Sequence, residues 1–112
     1  MEKFVSSPAA EAAFEALGAD LAEAGVQLGK MFGSRSLMVG SKAIGCLAGD
    51  AVAFKLGRDT VGHAAAMALP GSVLFDPSGM NRPFKDWVLV PLEFSAHWPA
   101  LADAALSVMQ PG

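Results

Sequence analysis

Apolar residues at positions 10, 14, 17, 21 and 24 recur every three or four residues, and the spacing predicts one helix over 7–24. Ser7 supplies a side-chain oxygen for the free N–H groups of a first turn. Pro8 suits the first helical position, and Glu11 complements the helix dipole. Gly18 weakens the helix slightly, and Gly25 is a natural stop. Beyond Gly25 the period falls to two. Strands are predicted near 26–32, 36–40, 43–48 and 51–56, the first two being either separate or one strand bent at Gly33. "GSK" (40–42) and "AGD" (48–50) are the turns between them.

In "AVAFKL", Val52, Phe54 and Leu56 alternate with Ala51, Ala53 and Lys55. The same alternation sets Ile44 and Cys46 against Ala43, Gly45 and Leu47. One sheet face is therefore bulky and belongs under helices, and the other is built of small residues. A short helix from Asp59 or Thr60 ends before Pro70. "SVLFD" and "DWVLVP" are two more strands joined by "PSGMNRPFK", and Pro91 closes the second. A linking turn, "LEFSAHW", precedes a last helix to about Met109 whose expected buried stripe is Trp98, Leu101, Ala105 and Val108.

Strands joined by turns of two to four residues pair antiparallel, because a parallel pair needs a long crossover. The expected fold is thus α+β and two-layered: an antiparallel sheet with helices on one face, in the order α-β-β-β-α-β-β-α. The chain of 112 residues reads as a single domain with its core over about 8–109. Apolar content of 53% with 17% charge excludes a disordered tail. No run approaches the ~20 apolar residues of a membrane span, so no membrane role is expected. "MEKFVSSPAAEAAF" has no apolar core of a signal peptide. A single cysteine, Cys46, rules out an internal disulfide and fits a cytoplasmic setting.

Charge is uneven around a net −3. Glu11, Glu15, Asp20 and Glu23 crowd 11–25 without a base, whereas Lys30, Arg35, Lys42, Lys55 and Arg58 face only Asp50 over 26–58. These are either solvated faces, an anion-contacting patch of those five bases, or complementary patches that meet between subunits.

"KMFGSRSLMVGSKAIGCLAGDAVAFKLG" and "MNRPFKDWVLVP" together resemble the TfoX N-terminal domain family. The family has Met-Phe-Gly leading into a Gly-bounded hairpin, here Met31, Phe32 and Gly33. Next comes a strand of the form Asp-x-apolar-x-apolar-Lys/Arg, matched by Asp50 to Lys55. A later strand has a basic-proline approach, an aromatic and Val-x-Val-Pro, matched here by Arg82-Pro83, Trp87 and Val88 to Pro91. The likeness runs over roughly 8–109. This chain departs from it in having no tyrosine. Relatives with a second, helical domain regulate natural competence and assist the cyclic-AMP receptor protein. The chain here stops where the first domain would, which the resemblance reads as a stand-alone version.

Met31 and Phe32 read as sheet and hairpin packing, and Gly33 as a bend or a positive φ. Nothing near Cys46 in sequence would stabilise a thiolate. His63 and His97 lack ligand-spaced partners, so no metal site is expected; His63 is placed on an exposed helix side. Asp76 and Asp86 read as loop carboxylates. No catalytic set and no cofactor motif is visible, and the chain does not read as an enzyme. The small-residue face of Ala43, Gly45, Leu47, Ala51 and Ala53 is the expected interface, covered by a second copy or a protein partner. The leading function is a non-catalytic, regulatory interaction module. Alternatives are an anion- or nucleic-acid-contacting protein using the basic 30–58 region, and a small-molecule binder near Phe32, Trp87 and Trp98.

Overall fold

A computed structural model describes residues 6–31, 34–76 and 79–109. Helix α1 spans Pro8–Leu21 behind an Ser7 cap whose Oγ accepts from the Ala10 N–H. It buries Ala10, Phe14, Leu17 and Leu21. Ala24 falls outside that stripe and is exposed, because the chain tightens into a 3₁₀ turn over Ala22–Ala24. Gly25 then adopts φ 90°, and its neighbour Val26 donates back to the Leu21 carbonyl at 3.3 Å, closing the helix end.

The strands are β1 (Gln27–Met31), β2 (Ser34–Val39), β3 (Lys42–Ala48), β4 (Ala51–Lys55), β5 (Val73–Phe75) and β6 (Phe84–Pro91). Helix α2 (Val61–Met67), capped by Thr60, lies between β4 and β5, and α3 (Trp98–Met109) follows β6 through a 3₁₀ segment. All neighbouring strands pair antiparallel in the order β1-β2-β3-β4-β6-β5. The expected α+β order holds. The region on either side of Gly33 resolves into two paired strands, from Gln27↔Met38 to Met31↔Ser34, rather than one bent strand. Met31 ends β1, while Phe32 and Gly33 of that motif lie outside the described residues.

The helices cover one face only. Their buried residues form one cluster with Leu37, Ile44, Leu47, Val52, Phe54, Leu56, Val88 and Val90 of the sheet and its margins. Val108 is 40% exposed rather than buried, and Ala102 takes its place in the α3 stripe. On the opposite face, the described residues form a second cluster drawn from the strands: Ala43, Cys46, Ala48, Ala53, Phe75 and Trp87.

This division corrects the small-residue interface. Leu37 pairs with Gly45 but Met38 pairs with Ala43, so β3 spends one extra residue, Ile44, in a bulge. Ile44 and Gly45 both face the helices: Ile44 packs in the helix-side cluster, and a Cβ on Gly45 would meet Leu37 and Phe54. From there the alternation is out of phase with the sequence pattern. Leu47 turns to the helix side opposite Val52, and Cys46 turns away. The five expected interface residues are split: Gly45 and Leu47 lie under the helices, and Ala43 and Ala53 lie on the other face. Those two are buried within the chain, at 9% and 0% exposure, in a cluster with Phe75 and Trp87; Ala51 is half-buried. No second chain is needed to bury them.

Candidate anion-binding groove

The acidic helix and the basic sheet meet inside one chain. Arg35 reaches from β2 to α1, with Nη1 2.9 Å from Glu15 Oε2 and 3.9 Å from Glu11 Oε1. Its guanidinium stands 5.8 Å from the Phe14 ring centroid. Arg35 is thus engaged by α1. Lys30, exposed on β1 opposite Arg35, is three strands away from β4. Lys42 and Lys55 border a hollow of about 230 Å³ with Ile44, Ala105, Val108 and Met109. This hollow lies at the C-terminal end of α3, which has no basic residue in its last turn.

Lys55 also lines a second, larger hollow, where the fold brings it together with Arg58, another of the expected anion contacts. Lys55 ends β4 opposite Trp87, and Lys85 of β6 lines the same groove, beside an irregularity where Leu74 pairs with Val88 but Phe75 pairs with Phe84. Gly57 takes φ 79° just after β4, and the chain turns so that Leu56 and Gly57 both donate to the Asp86 carbonyl, at 2.8 and 3.0 Å. The Asp86 carboxylate completes the corner: its Oδ1 accepts from the Arg58 backbone N–H and from Arg58 Nε, both at 2.9 Å. The guanidinium is held by its inner nitrogen, and its two terminal nitrogens make no bond among the described residues. The Arg58 side chain remains 57% exposed.

Electrostatics follow the geometry. The hydrogen bonds from Arg58, first from its side chain and then from its backbone, hold the Asp86 carboxyl down at about 2, with help from the Arg58 and Lys55 charges. Reciprocally, Asp86 pushes the Arg58 guanidinium further up. His63, expected on an exposed helix side, is half-buried and has Nε2 2.8 Å from the Lys85 carbonyl oxygen, tying α2 to the start of β6. The result is an open groove of about 530 Å³ lined by Lys55, Arg58, Pro83, Phe84, Lys85 and Trp87 together with Asp86. Phe84 is 38% exposed there, whereas Trp87 shows only 8% of its surface.

Lys85, Asp86 and Phe84 escaped the sequence reading as functional candidates. Asp86 reads as a loop carboxylate until the β4–β6 pairing sets it beside Arg58, 28 positions away. The run Phe-Lys-Asp-Trp held the only hint, a charged pair between two aromatics in a strand. Elsewhere, Cys46 is fully buried, and desolvation pushes its thiol up to about 12, so it is protonated and inert at neutral pH. His97 lies in the 3₁₀ segment with its ring 6.1 Å from Phe94. Asp76 accepts from the Gly79 and Arg82 backbone N–H groups.

Among the described residues, no group of three or more His, Cys, Asp or Glu side chains is placed to hold a metal ion. Nor is any helix among them long and apolar enough to cross a membrane. No family model, no curated protein and no solved structure matches this chain.

Proposed function

We propose that the protein is a non-catalytic recognition module that binds an anionic partner through the groove between the end of β4 and the start of β6. The observation that carries this reading is the Arg58 fork. A carboxylate at its base fixes the side chain, its terminal nitrogens have no partner among the described residues, and two lysines stand beside it. Planar, bidentate recognition of an oxyanion needs that arrangement. The inert Cys46 thiol and the structural contact of His63 favour binding over catalysis.

The reading keeps the resemblance to the TfoX N-terminal domain as part of the proposal. The likeness rests on 30–57 and 80–91, and the 50–55 strand of the first stretch lies beside the second, with Ala51 opposite Pro91 and Lys55 opposite Trp87. The groove residues Lys55, Lys85 and Trp87 come from those same stretches. A regulatory role, exerted by a partner that presents an anionic group, is the form this module takes.

The test is a titration of the chain with inorganic pyrophosphate, read by tryptophan fluorescence, since Trp87 lines the groove and Trp98 is buried in the core. Saturable binding is expected, weakening as salt rises, with a loss of about tenfold or more in the Lys55→Gln/Lys85→Gln variant. Unsaturable binding, or binding indifferent to that variant, refutes the reading.

A further inference from the structure

Resting on that reading, we infer that the groove takes a small organic phosphate carrying a planar ring, of the mononucleotide type, with the phosphate on Arg58, Lys55 and Lys85 and the ring on Phe84. Three features of the site point to this class. The volume, about 530 Å³, lies inside the roughly 300–1,000 Å³ of small-molecule sites and exceeds what a bare phosphate would fill. The walls are of two kinds side by side: cationic at Arg58, Lys55 and Lys85, and flat and apolar at Phe84 and Pro83. Phe84 is also a large aromatic left 38% exposed, whereas the other large aromatics among the described residues are buried or, for Phe94, half-buried, and its edge-on contact with Phe75, at 6.2 Å and 87°, braces the ring. A braced ring beside an anion fork offers stacking and charge to one ligand at once.

Charge argues for a small ligand over a nucleic-acid strand. The chain carries a net −3, so a long polyanion meets an overall repulsion that a single small phosphate largely escapes. One fork and two lysines serve one phosphate.

The experiment compares adenosine monophosphate, ribose 5-phosphate, adenosine and a single-stranded hexanucleotide on the whole chain. Adenosine monophosphate is expected to bind about tenfold tighter than ribose 5-phosphate, the increment a stacked base supplies, and adenosine alone to bind weakest. In Phe84→Leu, which keeps an apolar side chain against Phe75, that preference should fall to about one. Should a Phe84 variant fail to fold, saturation transfer from the wild-type chain to the adenine protons reads the same contact. Equal binding of the two phosphates overturns the inference and leaves the anion groove standing. Absence of binding by every phosphate, pyrophosphate included, removes both. A hexanucleotide that binds more than about tenfold tighter than the monophosphate overturns the small-ligand assignment in favour of a nucleic-acid strand.

Discussion

The two faces of the sheet are both buried, but by different means. On one face, bulky residues such as Val52, Phe54, Leu56 and Val90 meet three helices. On the other, Ala43, Cys46, Ala48 and Ala53 pack with Phe75 and Trp87 of the sheet itself, and among the described residues no helix residue belongs to the cluster. Small side chains on a helix-free face are therefore not, by themselves, a sign of a missing partner. They leave room for two large aromatics whose ring centroids stand 6.2 Å apart. The second face also runs out to the groove, since Lys55 and Trp87 pair at its end and both line that groove.

The contrast can be broken most forcefully on the helix side. Phe54→Ala empties a fully buried site under the helices and should cost about 3–5 kcal/mol in urea unfolding. Gly45→Ala tests the bulge: its Cβ would stand 3.0 Å from the Ala53 carbonyl oxygen and 3.3 Å from Leu37, and a loss of about 1–3 kcal/mol is expected. A gain in stability there would mean that the bulge does not hold Gly45 against β4.

Cys46 probes the second face through pH. Its proton is held more tightly in the folded state than in the unfolded one, because burial raises the thiol from 9.0 to about 12. Stability from this group is thus fully present below about pH 9 and lost as pH climbs toward 12. Cys46→Ala should flatten that alkaline limb, and the native thiol should react with a disulfide reagent far more slowly than the denatured one. Rapid native modification would show the second face to be open.

Smaller effects are expected from the exposed ion pairs. Arg35→Ala removes contacts to Glu11 and Glu15 and should cost about 0.5 kcal/mol, less at high salt. Asp86 works in the opposite pH range from Cys46. Its carboxyl is depressed from 3.8 to about 2, so its stabilisation is present above about pH 4 and fades as pH falls to 2. Asp86→Asn should erase that acid limb slightly and, as a positioning change, weaken pyrophosphate binding more than it alters stability.

Much of the fold was legible because its signals are local. The Ser7-Pro8 start, the Gly25 stop and the Thr60 cap rest on chemistry within a few residues, and each stands where the pattern put it. Alternation in β4 was also read correctly, with Val52, Phe54 and Leu56 toward the helices. It failed in β3, where a single extra residue at Ile44 swaps the faces of everything after it. The candidate cations fared likewise. Lys30, Arg35, Lys42, Lys55 and Arg58 formed one list in sequence, yet the fold sends Arg35 to α1, Lys42 to the end of α3, and only Lys55 and Arg58 to the groove.

What the sequence determined by itself was the set of elements, their antiparallel succession and the side of β4 that faces the helices, since period, caps and short turns act over a few residues. Tertiary structure alone decided the bulge, the packing of small residues with Phe75 and Trp87 on the second face, and the meeting of Asp86 with Arg58. Each of those depends on strand register, and register is set by which distant residues fit side by side.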